Sequence, residues 1–336
     1  MELMVTAPNR IDLAGGTTDL YPLYIFMEGG YTVNVAISIR SRVIFREHVG
    51  IGIKIFSEDL GTSTEASDPK DLSTDGPLGL IGRAVKTFPP LTATEILTHN
   101  EAPAGSGLGA SSALLVALIK GLLRLRSEEE PQRELISLAV NTETSVIGVP
   151  AGSQDHIAAL FGGISVLRFD NRSFQRRAIP EGTDWIERLE DMLVLSYTGE
   201  GRFSGMNNWE VTKNFIDNVG DTREKLLAIR DVARETGRVL MAGDLGKIPA
   251  LVQKEWDIRR TLAPGISTPR IDSIMAATSA AGAQANKICG AGGGGCMVTI
   301  CPPRQRSAVE TAIAEAGGRV IPFRIDTHGT VVSELI

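Results

Sequence analysis

Cysteine is scarce in this chain. Cys289, Cys296 and Cys301 are odd in number and lack CxxC metal spacing, so reduced, packed thiols are expected rather than a disulfide framework. A basic excess is missing as well. The net charge of −6 argues against nucleic acid as the main partner, because binding a phosphate backbone requires a basic face. It leaves room for a nucleotide pocket, where local dipoles and a metal override the mean field. No apolar run reaches the length of a membrane span, and Met1-Glu2-Leu3 does not open a basic-then-apolar leader. Internal repeats and low-complexity tracts are absent too. What remains is an ordinary globular composition, 43% hydrophobic and 22% charged, in 336 residues, enough for two domains and a sizeable core. The expectation is a cytoplasmic enzyme or binding protein with neither nucleic acid nor membrane as partner.

The most informative stretch is PAGSGLGASSA, residues 103–113. A polar, alternating run at 92–101 leads into it and reads as a strand. Gly105, Gly107 and Gly109 alternate, which lets the backbone turn tightly and approach a ligand with no Cβ in the way. An apolar run follows at once (Ala113 to Leu123), too long for a strand and suited to a mostly buried helix. Its free N–H groups and positive dipole end point back into the loop, where an anion would sit. The segment Pro103, Gly105, Ser106, Gly107, Leu108, Gly109, Ala110, Ser111, Ser112 is thus a candidate phosphate cradle. The hydroxyls of Ser111 and Ser112 can cap the helix, bind phosphate or ligate magnesium. A Walker A loop is excluded by the missing Gly-Lys-Ser/Thr. A dinucleotide fingerprint fits Gly105, Gly107 and Ala110 in letters, but no apolar strand precedes the acidic residues Glu128–Glu130.

Along the chain, strands are expected at 3–8, 31–39, 41–47 and 51–57, with a glycine turn at 9–19 and a polar loop at 58–77. Helices are expected at 78–88, 131–145 and 156–161, and a strand at 164–169. A polar connection at 171–184 marks a candidate boundary, dividing the chain into 1–175 and 176–336. Beyond it come a strand at 193–197, a helical region at 207–262 and a helix at 269–281. Strands at 284–289 and 296–301 flank a third glycine loop, and strands at 319–325 and 329–334 complete an α+β chain.

Three glycine segments in this order, 8–19, 103–113 and 287–296, resemble the GHMP kinases, the family of galactokinase, homoserine kinase, mevalonate kinase and phosphomevalonate kinase. Within that family the closest likeness is to heptose 7-phosphate kinase-like sugar kinases, which phosphorylate an anomeric hydroxyl. It rests on AGGTTD at 14–19, GSQDHIAALFGGIS at 152–165, YTGEGRFSG at 197–205 and CGAGGGGC at 289–296. The resemblance implies an N-terminal domain of the ribosomal protein S5 type, a ferredoxin-like C-terminal domain, and ATP in the cleft between them. It also implies Mg2+, a sugar or sugar-phosphate acceptor, and a monomer or homodimer.

Residue by residue, the family's catalytic aspartate falls on Asp155, with Arg10 as its partner. The metal ligands fall on Ser111 and, by its spacing to Asp155, on Glu143. Substrate contacts fall on Gly16, Thr17, Asp19, Gly152, Gly292 and Gly293, while Arg202 is the first candidate for an acceptor phosphate, followed by Arg40 and Arg83. Ala110 stands where many members carry serine, which removes a hydroxyl but no backbone donor. Two other readings keep the fold. One is a kinase for mevalonate or another acceptor, and the other is a sensor that binds nucleotide and sugar without turnover.

Overall fold

The computed structural model describes residues 2–201 and 205–335. Its strands are β1 (Glu2–Ala14), β2 (Gly30–Glu47), β3 (Ile53–Ser57), β4 (Thr62–Ala66), β5 (Thr94–Asn100), β6 (Ile164–Asp170), β7 (Ser173–Ala178), β8 (Leu193–Tyr197), β9 (Ala285–Ile288), β10 (Cys296–Ile300), β11 (Arg319–Val320) and β12 (Val331–Leu335). Its α-helices are α1 (Leu23–Phe26), α2 (Gly79–Thr87), α3 (Ala110–Leu125), α4 (Gln132–Ile147), α5 (Gln154–Phe161), α6 (Ile186–Met192), α7 (Gly205–Ile216), α8 (Thr222–Met241), α9 (Ile248–Arg259), α10 (Pro269–Ala280) and α11 (Arg306–Glu315). Among the described residues these strands form two sheets. The first runs β12-β1-β2-β5-β3-β4, with β6 and β7 branching from β2, and the second runs β11-β8-β10-β9.

β2 organises the first sheet. Its early half pairs with β6 and its later half with β5, while β1 follows it along the opposite edge. The strands expected at 31–39 and 41–47 are therefore one element. The glycine turn expected from residue 9 begins later, because Asn9 to Ala14 continue β1 through two bulges. Ile11 and Leu13 are completely buried there, and that burial pulls the segment into the sheet. β4 forms inside the expected polar loop, and β7 inside the expected polar connection, each as the return arm of a hairpin. The strand expected at 319–325 shrinks to β11, followed by one bridge from Ile37 to Ile325. β7 spans residue 175, and β12 returns to pair with β1, so the last residues complete the first sheet.

α3 is apolar nearly all round and packs against β1, β2, α2, α4 and α5. A second cluster, which includes Ile11, Val35, Leu195, Val239 and Val298, joins the two sheets through α8 and fixes one half against the other. Gly121 marks the closest approach of α3 to β2, since a Cβ there would meet Phe45 Cε2 at 2.1 Å. Overpacking at that point outweighs the gain in helix propensity. Gly121→Val should lower stability by about 1–3 kcal/mol, read from the urea midpoint.

Candidate active site

The sequence motifs meet at the N-terminus of α3. Gly109 caps the helix in the left-handed conformation (φ 76°), with no side chain bonded over the helix end. Its missing Cβ matters, because one would lie 3.0 Å from the Asp155 carboxyl group. Asp155 sits in the first turn of α5 and arrives against the mouth of the cradle. Arg10 on β1 grips it: Nε and Nη2 both reach Asp155 Oδ1 at 2.7 Å, and Nη1 donates to Gly107 O at 2.6 Å. One guanidinium thus joins the first motif, the cradle and the α5 carboxylate.

Burial raises the Asp155 carboxyl above its ordinary value, against the opposing pull of Arg10 and His156. Arg10 favours the ionised form, as a partner cation does, but the loss of solvent around the carboxyl outweighs it. The guanidinium itself is disfavoured by burial, but Asp155 and Asp12 outweigh that and hold it charged.

Ser111 and Ser112 differ. Ser111 is exposed at the helix end, whereas Ser112 is buried and donates to Glu143 Oε2 at 2.9 Å. His156 Nε2 lies 3.1 Å from the same oxygen. Burial pushes Glu143 up, yet His156, Ser112 and Ser111 outweigh it and hold the carboxyl below its usual range. An ionised carboxylate beside an outward hydroxyl is an oxygen donor pair that fits a hard divalent cation. Among the described residues no group of three or more His, Cys, Asp or Glu makes a cation site by itself, so phosphate oxygens and water would complete one.

On the other side of Asp155, Asp19 is buried and accepts the Gln154 N–H at 3.0 Å. Gly152 must be glycine here, since a Cβ would come within 2.3 Å of Asp19 Oδ2. Burial raises Asp19 to about 6, helped by the nearby Asp155 and opposed by the Gln154 bond. Asp19 and Ser153 line a cleft of about 720 Å³ together with Tyr21, Tyr24 and Arg172. Gly16 and Thr17 are engaged internally: Gly16 O and Thr17 Oγ1 accept from Arg259. Thr17 also sits at φ 74°, a strained setting for a β-branched residue.

The third glycine loop packs on the cradle, and Cβ atoms at Gly107 and Gly290 would meet the opposite backbone at 2.4 and 3.1 Å. Its donors are partly committed: the Gly290 N–H binds Asp12, Gly293 N–H binds Ile266 O and Gly295 N–H binds Glu200 O. Gly292 has a Cβ position 2.6 Å from Ile266 Cγ2, so this loop is wedged against protein rather than hanging free.

Arg40 is elsewhere, bound to Asp326, Thr6 and Gly329 O, where it anchors the C-terminal segment to the first sheet. Arg83 lies on α2, which packs on α3 and α4. Arg202 falls outside the described residues. Sequence reasoning passed over Asp12, Glu255, Arg259 and Lys287, all buried beside the motifs. A lysine between Asn286 and Ile288, in the short strand leading into the third loop, was the available signal for Lys287.

Comparison with known proteins finds similarity along nearly the whole chain. The model of the GHMP kinases N-terminal domain matches residues 79–163, and that of the C-terminal domain matches residues 238–319. The chain is 30% identical to D-glycero-alpha-D-manno-heptose 7-phosphate kinase of Campylobacter jejuni, over 96% of both proteins. It is 28% identical to mevalonate kinase of Thermococcus gammatolerans, over 100% of both. Among solved structures, a D-glycero-D-manno-heptose 1-phosphate kinase from Bacteroides thetaiotaomicron superposes with a TM-score of 0.81 at 24% identity, covering 99% of each chain.

The raised Asp19 makes a stability prediction. Its folded value of about 6 exceeds the ordinary 3.8, so the folded state holds the proton more tightly and loses stability as pH rises between them. Asp19→Asn removes that loss. Its stability relative to the parent should grow from pH 4 to pH 6 by up to about 3 kcal/mol and then level off, in urea titrations across pH. On these observations of fold, motif and similarity, the chain belongs to the GHMP kinase family.

Proposed function

We propose that the protein is an ATP-dependent sugar kinase acting on a heptose 7-phosphate or related sugar at its anomeric hydroxyl, with Mg2+ as the metal. The observation that carries this reading is the Asp155–Arg10 pair at the open N-terminus of α3. The whole-length similarity to a heptose 7-phosphate kinase supports the acceptor class. Phosphoryl transfer asks the protein to hold phosphates, offset their charge and aim a hydroxyl in line.

In this reading the amides of Ala110, Ser111 and Ser112 and the loop from Gly105 take the ATP phosphates, and the helix dipole favours their charge. Glu143 and Ser111 would hold the metal ion, which when bound offsets the phosphate charge. Glu143 is kept in place by Ser112 and His156. Asp155, raised by its dry surroundings, accepts the proton of the acceptor hydroxyl. Arg10 orients that carboxylate and adds positive charge near the transferring group. Asp19, with Gly152 pressed against it, takes acceptor hydroxyls, and the cleft beside Asp19 leaves room for the rest of the sugar. No described helix is long and apolar enough to cross a membrane, which suits work on soluble sugars in the cytoplasm.

Product NMR after incubation with ATP, Mg2+ and heptose 7-phosphate, mannose or mevalonate tests the assignment. An anomeric phosphate on the heptose is expected. Turnover of mevalonate alone would reassign the acceptor, and nucleotide binding without any product would make the protein a sensor. Asp155→Asn should lower kcat by about 10²-fold or more while leaving ATP affinity close to the parent value, measured by steady-state kinetics and titration calorimetry.

A further inference from the structure

Four charged side chains lie buried beside the site, each with 0–2% of its side chain exposed: Asp12, Glu255, Arg259 and Lys287. Their formal charges cancel. Asp12 stands two residues beyond Arg10 on β1, so both side chains leave the same face of the strand. One Asp12 oxygen binds Lys287 Nζ, and the other accepts the Gly290 N–H at 3.0 Å. Lys287 Nζ lies 3.8 Å from Glu255 Oε2, while Glu255 Oε1 takes Arg259 Nε at 2.8 Å and the Gly15 N–H at 3.3 Å. The network ties β1 and its following turn to α9 and to β9.

Resting on the sugar-kinase reading, we infer that Asp12 and Lys287 are a positioning pair for phosphoryl transfer, holding the third glycine loop against the cradle so that Arg10 and Asp155 stay aimed. The path is continuous. Asp12 fixes Gly290, which abuts Gly107, whose carbonyl takes Arg10 Nη1, and Arg10 holds Asp155. Neither Asp12 nor Lys287 is exposed to the cleft (both 0%), so the pair acts through these contacts and not on the substrate. Buried charge is a costly way to join two segments that apolar side chains would also join. What an ion pair adds is a fixed direction for a backbone amide, and that amide opens the loop over the site. A displacement of about 1 Å at a reacting centre costs about 10²-fold in rate.

The test compares the full chain with Asp12→Asn, Lys287→Met and the double variant, using any acceptor the parent phosphorylates. Asparagine keeps an acceptor for the Gly290 N–H but loses the charge, and the double variant leaves no unpaired charge in the interior. Turnover is taken per folded molecule, with the folded fraction measured by near-ultraviolet circular dichroism. The single variants should lose stability and about 10²-fold in kcat, with the KM for ATP close to the parent value. The double variant should recover Tm but not kcat. A double variant that recovers both, or single variants that turn over normally per folded molecule, would overturn the inference. Failure of all three to fold would assign the pair to the fold alone and overturn it too. Parent turnover tests the sugar-kinase reading, whereas the variant-to-parent ratio tests this one.

Discussion

The arrangement depends on one part-buried contact, the buried Arg10 guanidinium against the half-buried Asp155 carboxylate. Arg10, 3% exposed, would be unwelcome alone there, since an unpaired buried charge either neutralises or unfolds its surroundings. Together they satisfy one another without cancelling their chemistry. Burial still wins at Asp155 and raises it, while Arg10 stays charged. A carboxylate displaced upward is a better proton acceptor near neutrality, and a fixed cation beside it suits a reaction that develops charge on phosphate oxygens.

The glycines around this pair are there for distance more than flexibility. Gly109 admits Asp155 to the helix cap, Gly152 admits Asp19, and Gly107 and Gly290 let two loops touch backbone to backbone. A side chain at any of these positions would push apart groups that must lie within hydrogen-bond reach. The third loop, where the family resemblance puts substrate contacts at Gly292 and Gly293, turns several of its amides inward to Asp12, Ile266 and Glu200. Its glycines serve packing first, because the loop must pass between Ile266, the cradle and the Glu200 segment.

Much of the site was legible because its signals are local. A glycine-rich turn before an apolar helix carries its meaning in adjacent residues, and so do Ser111 and Ser112 at the helix start. Glu143 and Asp155 were reached through family spacing. The buried charges were not legible. Glu255 and Arg259, four residues apart on α9, have the spacing of a solvated surface pair, and only packing against Gly16 and Lys287 makes them interior. Arg40 failed as a ligand candidate for the converse reason, since its partners Asp326 and Gly329 are distant in sequence.

By itself the sequence determined the α+β class, the three glycine segments, the buried α3 helix and the kinase family, because periodicity and motif spacing are written in neighbouring residues. It did not determine that β1 continues to Ala14, that β2 is one strand, or that β12 returns to close the first sheet. Those outcomes rest on pairings between residues far apart in the chain, whose favourable burial exists only after the sheet has formed. The direction of the Asp155 shift belongs to the tertiary structure too. It follows from how much water the packed halves exclude, a quantity no local pattern contains.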